Sequence, residues 1–115
     1  MDVLGFVQPD VLAENAIVIV LEKRDNQGVE VYAFKQDRVL VGRMRECDLV
    51  VNHMTVSRRH LLVTRTEDRK IVIEDAGSCS GIYINGYRLG GPTVVSPGDK
   101  IMVGQCLVQC LSGEF

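Results

Sequence analysis

The segment Val56-Ser57-Arg58-Arg59-His60 is the most informative stretch of this 115-residue chain. It places a hydroxyl, two guanidiniums and an imidazole in one polar break between apolar segments of β-strand character. A hydroxyl beside a guanidinium suits a doubly charged oxyanion such as phosphate, because arginine offers a planar fork of donors. Gly42-Arg43 precedes the segment, and Gly81 follows it. We therefore expect a site that recognises phosphate.

Short apolar segments of alternating pattern recur after residue 16. Ile17, Ile19 and Leu21 share one face, and the turn residues 25–28 join them to a second strand, which predicts a hairpin. Further strands are predicted at about 38–42, 48–51, 61–66, 71–75, 82–85, 93–95, 100–104 and 106–111. No stretch after residue 16 has a helical period. The pattern predicts an all-β protein, an antiparallel β-sandwich of about 10–11 short strands.

The length suits a single domain, which we place at residues 17–111. Residues 1–16 are less patterned and are assigned as a leading segment or linker, in which Pro9-Asp10 could begin one helical turn. Residues 112–115 are assigned as a tail.

Charge is unevenly distributed along the chain. The net charge is −2, which argues against binding nucleic acid or a membrane by bulk electrostatics. Residues 43–60, however, hold four arginines against two acidic residues. A local positive region on an acidic body suits a small anionic ligand, and the alternative interpretation is a solvated face.

The cysteines and the apolar runs limit the protein class. Cys47, Cys79, Cys106 and Cys110 form no metal-type spacing with histidine, so we predict neither a metal nor another cofactor. This usage favours a reduced, cytoplasmic protein. No apolar run approaches the ~18 residues of a membrane span, so direct membrane insertion is not expected.

The order of several motifs resembles that of a forkhead-associated (FHA) domain. In sequence order they are Gly42-Arg43, Cys47-Asp48-Leu49, Val56 to His60, Asp75 to Gly81, Asn85-Gly86 and Pro97 to Ile101. The similarity covers about residues 17 to 111. It implies a β-sandwich of the FHA/SMAD type that binds phosphothreonine peptides through loops at one end.

The resemblance also implies residue roles. Arg43 would direct its guanidinium at the phosphate, Ser57 would donate its hydroxyl, and Arg58 would contact phosphate or peptide backbone. Arg59 is expected to be solvated. The structural positions of the family correspond to Gly42, His60, Gly81, Asn85 and Gly86, with His60 bracing the loops from behind.

One motif departs from the family pattern. The usual Ser-Thr-Asn-Gly-Thr run corresponds here to residues 78–82, so that Cys79 and Ser80 stand where the family contacts phosphate and peptide backbone. A thiol is a weak donor, and serine lacks an amide. We expect weaker or differently selective binding, or a folded surface as the partner. The positions predicted to set peptide selectivity are Met44, Arg45, Glu46 and Gln105.

The predicted function is a non-catalytic phosphothreonine-recognition module for protein–protein interaction in Ser/Thr-kinase-dependent signalling or assembly. Its partner would be a phosphothreonine-containing protein or peptide, and the domain would sit within a larger multidomain protein. The alternative is a phosphate-independent scaffold or oligomerisation module. An enzyme is not predicted, because the only support is Ser57 three residues before His60, with no P-loop, metal set or paired carboxylates.

Overall fold

The structure, a computed structural model, describes residues 2–4, 16–23 and 28–113. These residues form twelve β-strands and no helix, so nothing in the described chain is a helix able to span a bilayer. The strands are β1 Asp2–Leu4, β2 Ala16–Lys23, β3 Val29–Phe34, β4 Arg38–Gly42, β5 Leu49–Val50, β6 Leu61–Arg65, β7 Ile71–Asp75, β8 Ile82–Ile84, β9 Tyr87–Arg88, β10 Thr93–Val95, β11 Ile101–Val103 and β12 Cys106–Gly113.

The strands build two packed sheets. One sheet has the order β1-β3-β2-β12-β11-β8-β9, and the other has the order β10-β7-β6-β4-β5. Neighbouring strands are antiparallel except β4 and β5, which are parallel. The predicted all-β sandwich is confirmed.

The strand count exceeds the predicted 10–11 because two short strands carry no readable pattern. β9 is two residues long and both of its side chains are exposed. β1 lies in the segment assigned as a leader, yet it pairs with β3. At the other end, β12 runs to Gly113, beyond the predicted boundary at residue 111. The suggested helical turn at Pro9-Asp10 lies outside the described residues.

Alternation along the strands fills the space between the sheets. On β2, the side chains of Ile17, Ile19 and Leu21 are fully buried. Leu61 and Ile73 bury the matching positions of the second sheet. A side-chain period of two places every second residue on the same face, so these strands contribute a continuous apolar core.

Four connections meet at one end of the sandwich, as their mutual hydrogen bonds show. They are the β4–β5 loop (residues 43–48), the β5–β6 loop (51–60), the β7–β8 loop (76–81) and the β11–β12 turn (104–105). The β5–β6 loop is bonded to all three others, through Ser57 to the first and third and through Thr55 to the turn. Loops held by a rigid sandwich are a common location for binding sites.

The β8–β9 hairpin turn gives a test of local backbone geometry. Asn85 and Gly86 have φ of 49° and 89°, the left-handed values that a two-residue hairpin turn requires. Gly86→Ala should lower the free energy of unfolding by about 1–2 kcal/mol, because a Cβ is strained in this conformation. Urea denaturation measures the change. Gly90→Ala is the matched control, because Gly90 also has open space around its Cβ position but lacks the positive φ. Equal losses in the two variants would contradict the assignment.

Candidate functional site

A buried histidine joins two of the four loops. His60 is 0% exposed. Its Nδ1 accepts a hydrogen bond from the Ser57 main-chain N–H at 3.0 Å, and its Nε2–H donates to the Gly81 carbonyl at 2.8 Å. Because an amide N–H only donates and a carbonyl only accepts, these partners select the neutral imidazole protonated on Nε2. His60 therefore lies behind the site, as a bracing residue would.

Ser57 connects the β4–β5 loop to the β7–β8 loop through hydrogen bonds. Its Oγ accepts a hydrogen bond from the Cys79 main-chain N–H at 2.9 Å, which leaves the hydroxyl proton available for another acceptor. Its carbonyl accepts the Arg43 main-chain N–H at 2.9 Å. Arg43, Ser57 and Cys79, which are far apart in sequence, are thereby fixed next to one another.

The β4–β5 and β5–β6 loops approach too closely for a side chain at Gly42. A Cβ there would overlap the Arg58 carbonyl oxygen and lie 2.9 Å from Cys47 Sγ. The Cys47 thiol donates to the same carbonyl at 3.2 Å. Burial raises the pKa of Cys47, which keeps the thiol protonated as this hydrogen bond requires. Gly42 therefore permits the contact that positions Arg43 and Arg58 together.

An aspartate orders the β7–β8 loop. The Asp75 carboxylate accepts hydrogen bonds from the main-chain N–H groups of Gly77 and Ser78 at 2.9 and 2.6 Å, and from Ser78 Oγ at 2.8 Å. Ser78 Oγ in turn accepts the Gly81 N–H at 2.9 Å. Burial opposes the charge on Asp75, but the hydrogen bonds from Ser78 and Gly77 outweigh it and lower the pKa of this carboxyl. The loop is thus held in a fixed shape that exposes Cys79.

The β4–β5, β5–β6 and β7–β8 loops surround an open cavity of about 550 Å³. All five residues predicted to bind the phosphopeptide line it, namely Arg43, Ser57, Arg58, Cys79 and Ser80. The lining also includes residues that the sequence argument did not assign to binding, among them Met54, Thr55 and Arg59. Met54 is 87% exposed, an unusual setting for so large an apolar side chain.

The four predicted selectivity residues lie outside this cavity. Met44, Arg45 and Glu46 belong to the β4–β5 loop but do not line it. Gln105 lines a second cavity beside the first, and the two cavities share Thr55 and Ser80. A ligand seated on Ser57 would therefore need to extend beyond the first cavity to reach Gln105.

Thr55 is a further structural link that the sequence did not reveal. Its Oγ1 accepts a hydrogen bond from the Gln105 main-chain N–H at 2.8 Å and lies 2.8 Å from His53 Nδ1. A Cβ on Gly104 would overlap the Thr55 carbonyl oxygen, so this glycine allows the close approach. Thr55 and Gln105 are 50 residues apart, and no local pattern signals a contact at that separation.

Within the described residues, no group of three or more histidine, cysteine, aspartate or glutamate side chains is arranged to hold a metal ion. The chemistry of the cavity instead comes from the guanidiniums of its arginines and the hydroxyl of Ser57. These groups donate hydrogen bonds to an oxyanion.

His60 provides a stability test of the site architecture. His60→Ala should lower the free energy of unfolding by about 3 kcal/mol, because the Ser57 N–H and the Gly81 carbonyl would lose their buried partner and a cavity would remain. Chemical denaturation measures the loss. Arg59→Ala is the control, because Arg59 is the exposed neighbour of His60. It should change the free energy of unfolding by less than about 0.5 kcal/mol. A loss below about 1 kcal/mol in His60→Ala would show that the imidazole does not brace the loops.

Comparison with known proteins places this architecture in a family. The sequence profile of the FHA domain matches residues 39–104, more than half of the chain. The oxoglutarate dehydrogenase inhibitor of Corynebacterium jeikeium (strain K411) is 31% identical over 103 residues, which cover 90% of this chain and 69% of that protein.

Solved structures share the fold at low sequence identity. The FHA domain of the CT664 protein from Chlamydia trachomatis matches with a TM-score of 0.74 and 19% identity, over 84% of this chain and 96% of that one. Mycobacterium tuberculosis EmbR in complex with a low-affinity phosphopeptide matches with a TM-score of 0.69 and 20% identity, over 85% of this chain and 25% of that one. The chain therefore belongs to the FHA domain family.

Proposed function

We propose that this FHA domain is a non-catalytic module that binds phosphothreonine-containing peptides or proteins in kinase-dependent signalling or assembly. The observation that carries the proposal is the setting of Ser57. Its hydroxyl oxygen is held by the Cys79 N–H, so its proton is left to donate into a cavity that Arg43 and Arg58 also line. A hydroxyl donor flanked by two guanidiniums matches the acceptor oxygens of a phosphate group.

The expected affinity follows from the number of such contacts. Phosphothreonine carries a charge of about −1.5 to −2 and three strong acceptor oxygens. Hydrogen bonds to a charged group contribute about 1.5–3 kcal/mol each, so two of them supply about 3–6 kcal/mol, roughly half of the ~8 kcal/mol of micromolar binding. Peptide backbone and neighbouring side chains would supply the rest. We expect micromolar binding of a short phosphopeptide.

The engaged state of His60 supports binding rather than catalysis. A serine nucleophile needs a base whose nitrogen can take the hydroxyl proton. Here Nδ1 already accepts the Ser57 main-chain N–H, and Nε2–H already donates to the Gly81 carbonyl. The imidazole therefore has no nitrogen free for the Ser57 hydroxyl.

The comparisons are consistent with an interaction module. The structure of EmbR holds a phosphopeptide, and the Corynebacterium jeikeium relative is named as an inhibitor of another protein. At 20% identity the EmbR match shows the fold alone. The proposal that this chain binds phosphate is therefore based on its own Arg43, Ser57 and Arg58.

Substitution of the phosphate contacts tests the proposal. Arg43→Ala or Ser57→Ala should weaken binding of a phosphothreonine peptide at least tenfold, because each removes a hydrogen bond to a charged group. Fluorescence anisotropy with matched phosphothreonine and threonine peptides from a degenerate library measures the effect. Arg38→Ala is the control, since Arg38 is exposed at the start of β4 and does not line the cavity. Partner binding that ignores both phosphate and Arg43→Ala would favour the phosphate-independent scaffold.

The two positions that depart from the family pattern, Cys79 and Ser80, give a gain-of-affinity test. Cys79→Thr with Ser80→Asn should tighten phosphopeptide binding by about 1–2 kcal/mol, the worth of one or two neutral hydrogen bonds. Both side chains are exposed in the cavity wall, and the Cys79 bond to Ser57 uses the main chain, so the exchange leaves that bond intact. Isothermal titration calorimetry gives the difference. Unchanged or weaker affinity would mean that the native pair already suits its own ligand.

A further inference from the structure

The cavity carries more positive charge than one phosphothreonine needs. Arg43, Arg58 and Arg59 line it, and all three side chains are exposed. No carboxylate among the described residues forms an ion pair with any of them. The ion pairs between described residues lie away from the cavity, at Lys23–Glu30, Arg65–Asp37 and Lys70–Asp68. This surplus occurs on a protein of net charge −2, so it is a local feature of the site.

The charges around Arg59 include those of the β4–β5 loop. Burial is the main influence on the Cys47 thiol and raises its pKa, the charge of Arg59 lowers it, and the charges of Asp48 and Glu46 raise it further. Arg59 is therefore within electrostatic reach of Cys47, which lies in the β4–β5 loop. The same loop carries Arg45, Glu46 and Asp48, whose side chains are also exposed. The Asp48 carboxylate accepts the Leu40 main-chain N–H, and neither acidic residue forms an ion pair with Arg59. The cavity lining itself contains three arginines and no carboxylate, so its guanidiniums together attract an anion.

A charge count shows what is left over. The charge of phosphothreonine, about −1.5 to −2, is matched by two guanidiniums, those of Arg43 and Arg58. The third guanidinium, that of Arg59, then has no carboxylate to face in the cavity lining. The cavity volume of about 550 Å³ also lies in the range that accommodates a whole drug-sized ligand, so one phosphothreonine side chain would leave part of it unfilled.

We propose that Arg59 forms a second oxyanion subsite, which takes an acidic side chain or a second phosphate carried by the same peptide. This inference rests on the proposed function, because it requires a phosphothreonine held by Arg43, Ser57 and Arg58. Arg59 directly follows Arg58, with Cα atoms about 3.8 Å apart, and an extended peptide advances about 3.3 Å per residue, so the second anionic group would lie within a few residues of the phosphothreonine. The ligand is thus a multiply anionic phosphopeptide.

The test compares peptides that share one central phosphothreonine in a neutral background. A single aspartate is moved through the four positions on each side, and fluorescence anisotropy gives the affinity ratio of each aspartate peptide to the neutral one. Aspartate at one or two positions on one side should tighten binding by up to about fivefold, the upper end of the range for an exposed ion pair. A phosphoserine at the best position should give a larger gain of about tenfold or more, which separates a phosphate source from a carboxylate source.

Variants assign the gain to Arg59. In Arg59→Ala the ratio should fall to about one, and in Arg59→Glu it should fall below one, whereas Arg59→Lys should retain part of it. Arg38→Ala, at an exposed arginine outside the cavity, should leave the ratio unchanged. No gain at any position, or a gain that survives Arg59→Ala, would overturn the second subsite while phosphate-dependent binding of the neutral peptide left the proposed function intact. Failure of every phosphopeptide to bind would overturn both.

Discussion

The site depends on one buried imidazole that is bonded to main chain on both sides. His60 accepts the Ser57 N–H and donates to the Gly81 carbonyl, and its side chain is fully buried. In a low-dielectric interior such bonds are strong, and an unpaired polar group there is costly. The imidazole therefore sets the distance between the β5–β6 and β7–β8 loops, and with it the relation of Ser57 to Cys79.

The other local contacts keep this arrangement rigid before any ligand arrives. Gly42 lets Arg43 and Arg58 come together by leaving room for a carbonyl, and Asp75 fixes the β7–β8 loop through three hydrogen bonds. A preorganised site loses less conformational entropy on binding, so more of each charge-assisted hydrogen bond appears as affinity. The structure thus explains how a small sandwich can hold the few polar groups of the proposed phosphate site in fixed positions.

Much of this architecture was predictable because it follows from local rules. Strands such as β4 and β7 follow from short apolar runs rich in β-branched residues, and the Asn85-Gly86 turn follows from the backbone that a two-residue hairpin requires. The five predicted binding residues could be chosen from the sequence because the order of their motifs resembles that of a family with a fixed topology. All five line one cavity. The two residues of β9 are both exposed, so the sequence offered no apolar pattern from which this strand could be predicted.

The contacts that were not predictable join residues distant in sequence or depend on where loops point. The bond between Thr55 and Gln105 spans 50 residues. Arg59 is exposed, as expected of a solvated arginine, and it also lines the cavity, whereas Met44 and Arg45 do not. Position in a loop does not determine which way a side chain faces, so these assignments needed coordinates.

The most direct test of this account is an amide ¹H–¹⁵N NMR titration of the domain with a phosphothreonine peptide and its unphosphorylated counterpart. The account predicts that the phosphopeptide alone shifts the amide resonances of Arg43, Ser57, Arg58, Cys79 and Ser80, whose residues surround the cavity. Equal shifts with both peptides, or shifts confined to another face of the sandwich, would contradict it.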